Sequence, residues 1–182
     1  MINFFNNIDQ SFFLWLNGFH TPFMDPAMSF LSGQFIWIPF IVFFLWKAKV
    51  QLTGKQLGVF CIFLILSLVL SDVTSSYILK NTAERLRPCR LEELKPLIYQ
   101  FGQKCGGKYG FVSSHAANST ALVFFSLNTL RLPARFQLSW VLVILVCFSR
   151  IYLGVHYPGD IIGGCLVGLS WASILTFLFR HT

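Results

Sequence analysis

The chain has 182 residues, 55% of them hydrophobic and only 12% charged, with a mean hydropathy of +0.64. That is too apolar for an ordinary soluble domain and places the chain in a membrane. The formal charge of +7 invites a nucleic-acid reading, but the cations form neither one basic face nor an aromatic-interleaved stripe, so no nucleic-acid partner is expected.

In chain order, residues 1–20, MINFFNNIDQSFFLWLNGFH, mix Phe, Leu and Trp with Asn, Asp and Gln. They read as an amphipathic helix lying at the interface, with a short sixth span as the alternative. No Lys or Arg precedes Lys47, so the segment lacks the basic region of a secretory signal peptide. The stretch from about 22 to 46, carried by FIWIPFIVFFLW, reads as a span kinked at Pro39. Four more stretches, roughly 57–79, 114–130, 136–154 and 160–179, meet or approach the length of about 20 apolar residues that a span needs. Gly164 and Gly168 in the last of them form a small-xxx-small pair suited to close helix packing. With no internal repeat, low-complexity tract or linker, 1–182 reads as one domain. The expected fold is all-α: a polytopic membrane bundle of five or six transmembrane helices with an N-terminal interfacial helix.

The alternation of spans puts Lys47, Lys49 and Lys55, then Arg131 and Arg135, then Arg180 on one side, which the positive-inside rule assigns to the cytoplasm. The connections 81–111 and 155–159 then face outward. The longer one is itself basic, with Arg85, Arg87, Arg90, Lys95, Lys104 and Lys108 against Glu84, Glu92 and Glu93, which runs against simple counting. Of the five cysteines, Cys61, Cys147 and Cys165 lie within spans as small apolar residues. Cys89 and Cys105 share the outer connection, and the sequence leaves open a disulfide or two free thiols. Their spacing fits no zinc ligand set.

Three polar clusters interrupt the apolar chain. Lys80 and Arg87 are seven residues apart, so on a continued helix they would share a face, about 20° apart, with Pro88 ending that helix. Alone, they would read as headgroup anchors. Ser113, Ser114 and His115 follow the glycine-rich CGGKYG and open an apolar run, the pattern of a helix N-terminus, where free N–H groups favour a phosphate. Either serine alone would read as an ordinary N-cap, but a histidine one step inside is costly in lipid unless it faces water or a polar partner. Arg150, His156 and Asp160 lie in SRIYLGVHYPGD, with Asp160 as the expected N-cap of the last helix. Its carboxylate can take a proton from one ring nitrogen of His156, leaving the other to face an electrophile, as in catalytic triads. Asp72, about two turns before Lys80, either pairs with a cation, lines the way to the site or bonds to neighbouring hydroxyls. Each cluster falls at an outward end of a span.

Lys80-x6-Arg87-Pro88, Ser113-x-His115 and Ser149-Arg150-x5-His156-x3-Asp160 together resemble the tripartite signature of the type 2 phosphatidic acid phosphatase superfamily, over about 72–170. The resemblance implies a metal-independent membrane phosphatase without cofactor, its site related to that of vanadium haloperoxidases. His156 would be the nucleophile that forms a phosphohistidine, Asp160 would orient it, and His115 would protonate the leaving group and later activate water. Lys80, Arg87, Ser113, the Ser114 amide and Arg150 would hold the phosphoryl oxygens. The middle motif departs from the family's Pro-Ser-Gly-His, with Val112 and Ser114 replacing Pro and Gly. A positive φ at 114 would strain a serine. The expected substrate is a lipid phosphate or diphosphate among undecaprenyl diphosphate, phosphatidylglycerophosphate, phosphatidic acid and lipid A phosphates. Hydrolysis would occur at the outer face of a bacterial-type inner membrane. The alternatives are a lipid phosphotransferase using the same covalent step and a non-enzymatic transporter of anionic lipid. Oligomeric state is not legible.

Overall fold

The computed structural model describes residues 2–33, 35–102 and 105–182, so Lys104 lies outside the described residues. Every regular element among them is helical. Helix α1 is Ile2–Asn17, α2 Asp25–Leu31, α3 Trp37–Gln51 and α4 Gly54–Val73. α4 runs on through a π-helical turn, Thr74–Leu79, into the short α5, Lys80–Ala83. Then come α6, Ser114–Thr129, α7, Ser139–Tyr152, and α8, Pro158–Phe179.

α6 is the central rod. Ala116, Ala117, Thr120, Ala121, Val123 and Phe125 are buried around its circumference, and it packs on α4, α7 and above all α8. The α8 contact depends on glycine, as the pair at 164 and 168 predicts. A Cβ at Gly168 would collide with the Ala117 carbonyl oxygen, and one at Gly164 with that of Ser113. α4, α7 and α8 turn Ile62, Ile65, Val69, Ile144, Ile162, Leu166 and Phe177 outward. An outward apolar surface of that extent suits a hydrocarbon surrounding rather than water.

Among the described residues, three helical runs, Gly54–Ala83, Ala134–Tyr152 and Pro158–Phe179, are long and apolar enough to cross a membrane. The segment expected as one span over 22–46 is divided instead. α2 ends at Leu31 with Ser32 as its cap, and α3 starts at Trp37. Pro39 makes no kink, because it sits in the first turn of α3, where a missing N–H loses no intrahelical bond.

Two ends of the bundle differ in character. Gln56 of α4, Thr129 ending α6 and Arg131 after it, and Phe179 and Arg180 closing α8 gather at one end. Lys47 lies over the Phe136 ring, 5.0 Å from its centroid, tying the α3 terminus to the α6–α7 connection there. The three polar clusters gather at the other end. α1 lies there too, docked rather than loose. Phe13 is fully buried with its ring edge-on to Tyr157 at 5.4 Å. The buried Asn17 amide donates to the carbonyls of Ile151 and Tyr152 at 3.1 and 2.8 Å. The opposite face of α1, with Ile8, Phe12 and Trp15, stays exposed, so the helix is amphipathic as its sequence indicates.

Gly168→Ala is expected to lower stability by about 1–3 kcal/mol through overpacking. The check is a fall in Tm of the detergent-solubilised protein, with Gly58→Ala, at a position open on all sides, showing no fall.

Candidate active site

Lys80 reaches the site because the helix continues past the π-helical turn at 74–79. Its Nζ donates to Ser114 Oγ at 2.8 Å, and Ser76 Oγ lies 2.7 Å from the same hydroxyl. Arg87 does not share that helix, contrary to the expectation from its spacing. The helix stops at Ala83, Glu84 turns left-handed at φ 46°, and Arg87 is extended before Pro88. What places it is a short antiparallel pairing, Leu86 with Tyr109. Gly110 N–H donates to the Arg85 carbonyl at 2.8 Å, and Arg87 Nε donates to the Tyr109 carbonyl at 3.1 Å. The Cys89–Cys105 disulfide, with its Cα atoms 5.8 Å apart, ties the ends of this loop beside Arg87. The pair left open by the sequence is therefore bonded. Gly110 is needed here, since a Cβ would sit 2.9 Å from Asp160 Oδ2 and 3.3 Å from Arg87 Cγ.

Ser113 caps α6 in extended geometry, and its N–H donates to the Asp160 carbonyl at 2.9 Å. Ser114 is the first residue of α6, and the described non-glycine residues with positive φ are Glu84 and Arg131. The serine in place of glycine is thus unstrained, and its hydroxyl serves Lys80. His115 Nε2 lies 3.2 Å from the Ser32 carbonyl oxygen, and the Ser32 hydroxyl accepts from Arg150 Nη1. One serine at the end of α2 therefore bridges His115 and Arg150.

Arg150 sits in the last turn of α7. Gly154, at φ 73°, then reverses the chain, and the N–H groups of Val155 and His156 return to the Arg150 carbonyl at 3.1 and 3.3 Å. A side chain at Gly154 would meet the Tyr99 carbonyl oxygen at 2.9 Å as well as strain its backbone. α8 begins at Pro158, two residues earlier than expected, because proline suits a first helical position. Asp160 is accordingly the third residue of α8 rather than its N-cap. Its Oδ2 reaches back to accept the Tyr157 N–H at 3.0 Å and lies 3.3 Å from His156 Nδ1.

The sequence reading missed Arg85. Its Nη1 donates to Asp160 Oδ1 at 2.9 Å, its Nη2 to Asp9 Oδ2 of α1 at 2.7 Å, and its guanidinium covers the Tyr157 ring at 4.1 Å. Asp9 also accepts the Gly159 N–H at 2.8 Å. A fully buried carboxylate needs a cationic partner, a signal that points to some arginine, though nothing in the sequence distinguishes Arg85 from Arg87 in that role. Ser32 carried no signal.

Asp160 is 0%, His156 2%, Arg150 7% and Arg87 8% exposed. Ser113 Oγ and Arg150 Nε are buried with no hydrogen-bond partner among the described residues. Desolvation lowers the Arg87 pKa against the partial compensation of Asp160. Burial first, then the Arg87, Arg150 and Lys80 cations, hold the His156 imidazole well below the usual 6.5. Among the described residues, no group of His, Cys, Asp and Glu side chains gathers in a metal-binding arrangement. Three positively charged side chains, Lys80, Arg87 and Arg150, thus act on a neutral imidazole backed by one carboxylate, an arrangement suited to binding a dianion and attacking it.

The PAP2 superfamily model matches residues 57–181. The chain is 33% identical over 188 residues to a lipid A 4'-phosphatase of Bacteroides thetaiotaomicron, covering 100% of this chain and 80% of the relative. It is 32% identical over 162 residues to the lipid A 4'-phosphatase of Porphyromonas gingivalis, covering 89% and 69%. In fold it resembles the crystal structure of a transmembrane PAP2-type phosphatidylglycerolphosphate phosphatase from Bacillus subtilis, with a TM-score of 0.69 at 19% identity over 98% of this chain and 86% of the other.

The lowered His156 pKa carries a sign. Below about pH 6.5 the unfolded chain protonates this histidine while the folded one does not, so stability falls as pH drops through that window. Tm measured in detergent from about pH 7.5 to about pH 5 should decline less steeply for His156→Gln than for the wild type.

Proposed function

The chain belongs to the PAP2 superfamily and is a phosphatase, and on that footing we propose that it hydrolyses a lipid phosphate through a covalent phosphohistidine at His156. The observation that carries this reading is the buried His156–Asp160 pair, Nδ1 to Oδ2 at 3.3 Å, set among cations from three separate elements. With Nδ1–H directed to Asp160, Nε2 presents its lone pair to phosphorus. The new N–P bond forms as the P–O bond to the lipid breaks, and His115 gives its proton to the departing oxygen. His115 then takes a proton from water as the water oxygen bonds to phosphorus and the N–P bond breaks. Inorganic phosphate leaves and both histidines are restored.

Lys80, Arg87, Arg150, Ser113 and the Ser114 amide hold the equatorial oxygens, and the partnerless Ser113 Oγ and Arg150 Nε are donors a phosphate would satisfy. Phosphoryl transfer asks chiefly for such positioning and charge, so these residues act without a metal ion. Arg85 is a positioning residue: it fixes Asp160 from the far side and links it to α1. The whole of 1–182 works as one unit, because α1 contributes Asp9 and α2 contributes Ser32.

The lipid A phosphatases among its relatives support lipid A phosphate as the substrate, ahead of undecaprenyl diphosphate, phosphatidylglycerophosphate and phosphatidic acid. The site would face the periplasm across a bacterial-type inner membrane. Two observations support that orientation: the loop beside the site holds a disulfide, a bond that persists in oxidising compartments, and the Lys47, Arg131 and Arg180 end lies opposite.

His156→Ala should abolish phosphate release from every lipid tested. Vanadate should inhibit the wild type and chelators should not. A wild-type enzyme that moves phosphate to an alcohol without releasing it would be a phosphotransferase instead. Arg85→Gln should lower kcat by about tenfold or more, about 1.4 kcal/mol of transition-state stabilisation. KM should change little, because Arg85 touches the catalytic carboxylate and not the phosphate.

A further inference from the structure

This inference rests on the phosphatase reading above. An acid that protonates a leaving oxygen must touch it, so the leaving group departs on the side that His115 faces. There Ser114 and His115 border a cavity of about 310 Å³ between α3, α4 and α6, within the size range of small-ligand sites. Asp72 and Asn118 wall it near the histidine, and Trp37, Ile41 and Leu68 wall it beyond.

Asp72 is the unusual member. It lies within the membrane-crossing helical run Gly54–Ala83, where a carboxylate is expensive and marks a partner or a pathway. Its Oδ1 accepts from Asn118 Nδ2 at 3.0 Å and from Ser76 Oγ at 3.4 Å. Among the described residues no cation comes within ion-pair distance of it, and no donor reaches its Oδ2. Lys80, two turns on, is engaged with Ser114. The proposed catalysis uses no part of Asp72.

We propose that this cavity is the leaving-group subsite and that Asp72 makes the enzyme selective for phosphate monoesters of a hydroxyl-bearing alcohol, a sugar or a glycerol, whose O–H donates to Oδ2. Trp37, Ile41 and Leu68 then receive the apolar face of that group or the start of its acyl chains. A lipid diphosphate is disfavoured, because its leaving group is itself a phosphate and would enter beside a carboxylate. A diacylglycerol without a free hydroxyl leaves Oδ2 unpaired.

The test measures phosphate release by the purified full-length protein in detergent micelles. The substrates are lipid A 4'-phosphate, phosphatidylglycerophosphate, phosphatidic acid and undecaprenyl diphosphate, and the proteins are the wild type, Asp72→Asn and His156→Ala. The wild type should show a higher kcat/KM on one of the first two lipids than on the last two, lipid A if the hydroxyl belongs to a sugar and phosphatidylglycerophosphate if it belongs to glycerol. Asp72→Asn should shrink that ratio by about tenfold, the worth of one hydrogen bond to a charged acceptor, chiefly through KM. An equal loss on all four lipids would make Asp72 a structural support of Asn118 and Ser76 and overturn the proposal. So would an unchanged ratio, or a wild type that prefers the diphosphate. If Asp72→Asn fails to fold, Asp72→Ser is measured in its place and the same change in ratio decides the matter. Activity retained by His156→Ala would instead remove the covalent mechanism, whereas an inactive His156→Ala with an unchanged Asp72→Asn ratio defeats the subsite alone.

Discussion

Asp160 is a carboxyl side chain with no exposed surface, and the site end of the molecule is organised around it. Four groups from three parts of the chain meet on this residue. His156 and the Tyr157 N–H face one carboxylate oxygen, Arg85 binds the other, and the Ser113 N–H binds its backbone carbonyl. A buried charge left without partners would be strongly destabilising, so these contacts fix the N-termini of α6 and α8, the loop behind Arg85 and the imidazole relative to one another. The geometry needed for chemistry is thereby also a condition of the folded state.

The rest of the bundle makes that convergence possible by being thin where it must be. Glycines at 164 and 168 let α8 approach α6 to backbone contact, which brings residues 113 and 160 within hydrogen-bonding range. The short turn at Gly154 returns the chain so that the His156 N–H bonds to the Arg150 carbonyl. Outward, the same helices are faced with isoleucine, leucine and phenylalanine. One end is therefore polar and closely specified, and the body presents an apolar exterior.

Much of this could be read from the chain because it rests on local rules. Apolar runs gave the long helices, and the spacing of lysine, arginine, serine and histidine gave the residues that meet at the site. The small-residue pair gave the α6–α8 contact. Most of what escaped was set by tertiary contacts. Ser32-Gly33 is a turn-type pair that the surrounding apolar run outweighed, and Ser32 is also held there by His115 and Arg150 from other helices. Arg87 leaves the expected helix because its loop pairs with Tyr109 across the disulfide-bonded segment. Asp160 misses the cap position by three residues because Pro158 starts the helix sooner. Arg85 looked like one more loop cation until Asp9, 76 positions earlier in the chain, turned out to share it.

The bridge from Asp9 through Arg85 to Asp160 has a practical bearing on anyone handling this protein. The opening helix resembles a dispensable leader, the kind of segment trimmed for crystallisation or capped with an affinity tag. Here it holds one side of a guanidinium whose other side binds the buried Asp160 carboxylate. Shortening the chain at that point would amount to editing the proposed reaction centre from a distance.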